Sequence, residues 1–167
     1  MSTNNNASNV SVGKPLVTGA VFHAPAGTTL PTSTAASLNA AFKAMGYVSD
    51  DGVTNSNTPS STEIKAWGGD TVAVPQTEKK DTFQLKLIEC TNADVLAAVF
   101  GSGNVSGALA TGLTVNVNSI EVPSGCWVID MILRDNTAKR SVSPDGKIIP
   151  IVRARSVNEN ILSTFRL

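Results

Sequence analysis

The clearest alternation of apolar and polar positions lies in the segment 82–87. Phe83, Leu85 and Leu87 alternate with polar residues, a period of two that places the apolar set on one face of a half-buried strand. A second β-rich run precedes it at 71–74, and the polar residues between the two runs are typical of a hairpin loop. The pattern predicts an antiparallel hairpin.

A helical pattern follows this strand directly. Thr91 is a suitable N-cap residue, and Asp94 lies three residues later, as in a capping box. Gly101 supplies the left-handed position that ends many helices. The apolar residues of the helix share one stripe and are expected to pack on the sheet: Val95, Leu96, Val99 and Phe100.

Other β-rich runs recur through the chain. The predicted strands are 16–23, 114–120, 126–134, 139–143, 147–153 and 160–167. Both faces of the segment 126–134 carry apolar residues, which is typical of a central strand. The sum predicts a mainly β fold, two packed antiparallel sheets in a sandwich or rolled barrel, flanked by one short α-helix.

The chain length favours one domain at 14–167, preceded by a polar and flexible N-terminal arm at 1–13. A long loop is predicted at about 25–61, with a short helix inside it on which Leu38, Phe42 and Met45 share helical spacing. Loops of this length are uncommon inside a compact domain unless they are functional or a partner orders them. We therefore expect another subunit to contact polar residues of this loop, namely Asp50, Asp51, Asn55, Asn57 and Ser60.

The charge composition narrows the function classes. Charged residues make up only 16% of the chain, and 13 basic residues balance 13 acidic ones. A surface of this kind favours self-association, and it lacks the basic excess that a dedicated nucleic-acid or anionic-membrane surface needs. The chain also has no run of 18 apolar residues, so we expect no direct membrane binding.

The sequence offers little for catalysis or for a metal. His23 is the only histidine, and a structural role is favoured because no nucleophile or carboxylate pattern accompanies it. Cys90 and Cys126 have no CxxC or histidine partner and are expected to be reduced thiols. The protein is therefore predicted to have no enzymatic activity, no cofactor and no metal.

Four segments in order carry a family resemblance: 46–53 (GYVSDDGV), 63–70 (EIKAWGGD), 83–89 (FQLKLIE) and 95–101 (VLAAVFG). Their succession resembles the major tail protein, or tail tube protein, of long-tailed non-contractile phages, over roughly 12–150. The resemblance implies a tail-tube-like fold and a structural virion protein whose hexameric rings stack into a hollow tube for DNA ejection. It also implies a location in the phage tail after synthesis in the bacterial host cytoplasm.

The partners that the resemblance implies are further copies of the chain, a tape measure protein, and a tail terminator or distal tail protein. DNA would pass through the tube transiently and without specific contacts. Since each neutralised phosphate would add affinity for DNA, the lumen should be neutral or acidic. The residues expected to face it are Asn116, Asn118 and Asp130. The alternative function is a β-sandwich decoration or adhesion module of a virion or cell surface.

Overall fold

The computed structural model describes residues 6, 10–16, 19–152 and 163–166. The strands are β1 Lys14–Pro15, β2 Val21–Pro25, β3 Lys43–Ala44, β4 Val48–Ser61, β5 Ile64–Lys65, β6 Thr71–Ala73, β7 Gln76–Leu87, β8 Val105–Ala108, β9 Gly112–Val115, β10 Gly125–Ile132, β11 Ala138–Gly146, β12 Ile149–Val152 and β13 Ser163–Arg166. The helix α1 spans Ala93–Phe100. The fold is mainly β with a short helix, which confirms the predicted class.

Two antiparallel sheets form the body of the subunit. In the first, β10 pairs with β11 along one side and with β1 and β2 along the other, and β3 extends the sheet beyond β2. The second sheet has the order β12–β13–β7–β4. Two separate hairpins, β5–β6 and β8–β9, complete the strand pairing of the described residues.

The strand β10 is buried on both faces, as predicted for a central strand. Trp127 and Ile129 point into the larger core cluster, which also contains Leu85 and Leu87 of β7. Cys126 and Val128 alternate with them and point into a second cluster on the opposite face. The other buried members of the larger cluster are Ala20, Val21, Met45, Val95, Ala98, Val99 and Ile148.

The second face of β10 is covered by the segment 26–42, which contains no helix. The predicted short helix is therefore wrong. Leu38 and Phe42 pack in the second cluster, whereas Met45 lies in the larger one. Since the two clusters lie on opposite faces of the sheet, these three side chains cannot share one helical stripe.

The last part of the predicted 25–61 loop is also wrong, because residues 49–61 form most of β4. Its partner is β7, in a register that joins Thr54 to Gln84 and Ser60 to Glu78. The polar segment after Pro75 belongs to β7 and is not a hairpin loop, and β6 pairs with β5 instead of β7. The sequence does not predict the two-stranded ribbon of β4 and β7. Both faces of the ribbon are exposed, so no apolar alternation marks its strands.

The helix α1 has the predicted position and a different cap. Asn92, not Thr91, is the N-cap, and its side-chain oxygen accepts a hydrogen bond from the Asp94 backbone N–H at 3.0 Å. Gly101 has φ 90° and ψ 139°, which is not the predicted left-handed helical conformation. The Asn104 side-chain amide donates to the Phe100 carbonyl at 2.7 Å and satisfies the helix end instead.

Of the four predicted helix core residues, Val95 and Val99 are buried and Leu96 and Phe100 are partly buried. Most of the predicted N-terminal arm, residues 1–5 and 7–9, lies outside the described residues. Within the described part, Ser11 Oγ accepts a hydrogen bond from the Arg134 backbone N–H at 2.8 Å.

Candidate interaction surfaces

The strands β4 and β7 form a long two-stranded ribbon. We call residues 54–81 the arm, which is distinct from the predicted N-terminal arm at 1–13. Every residue of 54–81 is exposed. Because both faces of the ribbon are exposed, no other element of the described subunit packs on the arm. The arm is therefore held mainly by its own strand pairing and by its connection to the core at Leu85 and Leu87.

Polar side chains join the two strands of the arm. Thr77 Oγ1 donates to the Ser60 carbonyl at 3.2 Å, and the Asn57 amide donates to the Asp81 carboxylate. Below the arm, Lys86 Nζ lies 2.7 Å from Asp51 Oδ2. This hydrogen bond and the lysine's positive charge lower the pKa of Asp51.

The residues predicted to contact another subunit all lie on β4. Asp50, Asp51, Asn55, Asn57 and Ser60 are exposed, so they are available for contact. In the described part of the chain, β4 has no strand partner on its outer side. Pro59 interrupts the row of N–H donors there, a common protection of sheet edges. The contact itself stays a prediction.

The tip of the arm carries an apolar group that sequence reasoning did not single out. Trp67 is fully exposed, and its turn is closed by hydrogen bonds from Ala66 N–H to the Asp70 carbonyl (2.8 Å) and from Gly69 N–H to the Ala66 carbonyl (2.9 Å). Gly69 has φ +92°, which favours glycine. The other exposed apolar residues at the tip are Ile64, Val72 and Val74. The available signal was a tryptophan directly before a Gly-Gly turn.

An apolar cavity of about 410 Å³ lies beside α1, near the base of the arm. The helix contributes Val95, Leu96, Val99 and Phe100 to its wall, and the β8–β9 hairpin contributes Leu109, Leu113 and Val115. Leu109 is 69% exposed, so the cavity has an apolar rim open to solvent. Leu87, Glu89, Cys90 and Thr91 form the rest of the wall.

Glu89 joins three elements at this cavity. Its carboxylate accepts hydrogen bonds from the Tyr47 backbone N–H and from the Asn92 side-chain amide, both at 2.9 Å. Gly46 has φ +68°, and a Cβ at that position would collide with the Glu89 carboxylate. Glu89 therefore ties the turn before β4 to the start of α1.

Asn116 and Asn118, two of the predicted lumen residues, follow β9 and are exposed. The predicted strand at 114–120 is shorter in the structure, since β9 ends at Val115. The Asn118 amide donates to Asn104 Oδ1 at 2.7 Å, and the Asn116 N–H donates to the Asn104 carbonyl at 2.8 Å. Both residues thus lie near the C-terminal end of α1 and outside the two large sheets. That they face a lumen stays a prediction.

Asp130, the third predicted lumen residue, is not available to a lumen. It is 8% exposed, and its two oxygens accept hydrogen bonds from Arg140 Nε at 2.7 Å and from an Arg140 terminal nitrogen at 2.8 Å. The other terminal nitrogen of Arg140 donates to the carbonyls of Ser33 and Ala36. The hydrogen bond and charge of Asp130 raise the pKa of Arg140. The prediction for Asp130 is therefore wrong, because its charge is neutralised inside the fold.

The histidine and the two cysteines that were considered for catalysis occupy structural positions in the fold. His23 packs against Trp127 with ring centroids 4.4 Å apart and ring planes tilted by 40°, and burial lowers the pKa of its imidazole. Cys90 and Cys126 are free thiols, as predicted. Within the part of the chain that the structure describes, no group of three His, Cys, Asp or Glu side chains could hold a metal, and no helix is long and apolar enough to cross a membrane.

Comparison with protein families finds a match over residues 1–130 to a family described as phage tail tube protein. The match covers more than half of the 167-residue chain, including the arm, α1 and most of β10. The chain belongs to the phage tail tube proteins. Membership in this family makes it a structural component of the virion tail and confirms the resemblance of the four sequence segments. Comparison of this tail tube protein with curated proteins and with solved structures finds no match.

Proposed function

We propose that this tail tube protein forms hexameric rings that stack into a hollow tube through which DNA passes during ejection. The observation that carries the proposal is the arm, whose residues 54–81 are exposed on both faces. A two-stranded ribbon with no packed face is at best marginally stable in water. Packing against another copy would bury one or both of its faces and supply the missing contacts.

The edges of the two sheets support closure into a ring. In the described residues, β11 and β4 each pair on one side only. Open edges promote uncontrolled association unless they are covered or joined. Head-to-tail contacts between identical subunits can cover them, and a ring results when the rotation closes.

The charge of the chain supports a passive conduit. Its formal net charge is zero, so a repeated ring of excess positive charge is not required anywhere in the assembly. We propose a neutral or acidic lumen, with Asn116 and Asn118 among its residues. The tube ends would contact a tape measure protein and a tail terminator or distal tail protein, and the subunits would be made in the host cytoplasm. The role is structural, without catalysis.

The test compares the full chain with a variant that has a short arm. In this variant, residues 57–81 are replaced by Asn-Gly, because Ser56 and Thr82 are directly paired and a two-residue type I′ turn can join them. Light scattering and electron microscopy should show tubes of uniform diameter for the full chain. The short-arm variant should keep its fold by circular dichroism and stop at subunits or single rings.

Two outcomes would contradict the proposal. The full chain could stay monomeric at high concentration, as the alternative decoration or adhesion module would. The short-arm variant could also form tubes as readily as the full chain, which would show that the arm has no part in stacking.

A further inference from the structure

The tip of the arm presents one large side chain without any covering. Trp67 is fully exposed, and two hydrogen bonds hold the backbone of its turn. A tryptophan combines a large apolar surface with one N–H donor, and such side chains are enriched where two proteins meet. The turn therefore fixes the backbone from which the indole is presented, at the tip of the arm.

The cavity beside α1 has the chemistry that an indole needs. Its volume is about 410 Å³ and its wall is mostly aliphatic, formed by side chains such as Leu96, Leu113 and Val115. Glu89 is the only acidic residue in that wall. Two hydrogen bonds to its carboxylate are identified, and a carboxylate has about four acceptor positions. A further position can accept the indole N–H.

The arm separates this cavity from the tip of the same subunit. Leu87 is the last residue of β7 and lines the cavity, while the tip follows the other end of this 12-residue strand. At about 3.4 Å per residue, the strand spans roughly 40 Å. Trp67 of one subunit is thus too far from its own cavity, and only a second copy can bring the two together.

We propose that Trp67 of one copy inserts into the apolar cavity beside α1 of the next copy. The contact joins two different surfaces of the same chain, so it repeats from copy to copy and sets their spacing at about the length of the arm. This inference rests on the proposed tube and names the residues of its stacking contact.

A crosslinking experiment tests the contact. Cys90 lines the cavity, and Cys126 is only 1% exposed. A Gly68→Cys variant keeps Trp67 and adds a thiol beside it, at a position with no atom within 4 Å of the new Cβ. In assembled tubes, a short bis-maleimide should join this thiol to Cys90 of the next subunit, giving a ladder of dimers and higher species on a denaturing gel.

The controls locate the crosslink. Gly68→Cys combined with Cys90→Ser should give no ladder. Lys80→Cys places a thiol in the middle of the arm, opposite Thr58, and should also give none. A ladder from Lys80→Cys and none from Gly68→Cys would overturn the proposal, because the shaft of the arm and not its tip would then lie over the cavity.

A second measurement uses the two tryptophans of the chain. Trp127 is 2% exposed, so iodide should quench mainly Trp67 in free subunits and neither residue in tubes. Leu113→Trp fills the cavity and should abolish tubes while leaving subunits that are folded by circular dichroism.

The outcomes separate this inference from the proposed function. Tubes in which Trp67 remains open to iodide and Gly68→Cys does not crosslink would overturn the contact and leave the tube intact. A full chain that forms no tubes under any condition would overturn both.

Discussion

Asp130 carries a charge inside the fold, and Arg140 compensates for it. The pair links β10 and β11, and the guanidinium also binds the carbonyls of Ser33 and Ala36. One arginine therefore fixes the irregular segment 26–42 against the sheet. The guanidinium bonds to these two carbonyls are charge-assisted, and they hold the segment where it has no regular backbone pairing.

Arg140→Ala should lower the free energy of unfolding by about 3 kcal/mol, because it leaves a buried carboxylate unpaired. Urea denaturation measures the loss. Lys65→Ala is the matched control, since Lys65 and Glu63 form an ion pair whose side chains are 59% and 57% exposed. That control should change stability by less than about 1 kcal/mol. Equal effects of the two substitutions would contradict the structural role of Arg140.

His23 predicts a pH dependence of stability. Burial lowers the pKa of His23 in the folded state below its usual value of 6.5, so the unfolded state binds the proton more readily. Stability is complete above the unfolded pKa and should fall as the pH decreases from about 7 toward the folded pKa.

The variant His23→Gln isolates this effect, because His23 is the only histidine. Chemical denaturation at a series of pH values should show stability falling as the pH is lowered below about 7 for the natural chain, and a smaller fall for the variant. The same fall in both would assign the effect to other groups.

At the scale of secondary-structure elements, the start of α1 is held by its N-cap residue and by a carboxylate three positions before that residue in the sequence. Asn92 caps the helix and donates to Glu89, which also binds the turn before β4. The Glu89 carboxylate thus joins the start of α1 to the turn before β4, and Glu89 also lines the cavity. Loss of the cap should disturb all three.

Asn92→Ala should lower the free energy of unfolding by about 1 kcal/mol or somewhat more, since it removes an N-cap and one hydrogen bond to Glu89. Thr91→Ala is the matched control at the adjacent exposed position and should have little effect. Thermal melting of both variants compares them. A larger effect at Thr91 would show that the capping assignment is wrong.

At the scale of the whole molecule, the described subunit divides into a packed body and an arm that contacts little of it. The body contains both core clusters, while the arm is exposed throughout residues 54–81. Local opening of a ribbon with few buried contacts requires little free energy. Assembly should change this part of the subunit more than any other described part.

Hydrogen exchange should therefore slow at residues 54–81 when tubes form, while the amides of β10 exchange slowly in both states. Mass spectrometry of free and assembled protein gives the comparison. Unchanged exchange in the arm after assembly would mean that another surface joins the subunits.

The assembled tube should bind DNA weakly even at low salt, where electrostatic attraction is strongest. Each phosphate neutralised by a basic lumen would add affinity, and the repeat of subunits would multiply it. Binding of short duplex DNA to intact tubes, measured over a range of salt concentrations, tests this. Tight binding that weakens steeply with salt would contradict a passive conduit.

The sequence alone determined the fold class, the position of α1 and the central place of β10. In each case local pattern and final burial agree: Leu85 and Leu87 alternate into the core, and Trp127 and Val128 occupy opposite buried faces of one strand. The ordered segments GYVSDDGV, EIKAWGGD, FQLKLIE and VLAAVFG also identified the family, which the match over 1–130 confirms.

The tertiary structure decided the features that have no local signal. The arm is polar on both faces, so its strands carry no alternation, and only the pairing of β4 with β7 shows that 49–61 is not a loop. Nothing in the sequence around Asp130 distinguishes it from an exposed carboxylate. Only the fold brings Arg140, ten residues away, into contact with it. The cavity and Trp67 are likewise separated by the length of a strand, a distance that no spacing in the sequence expresses.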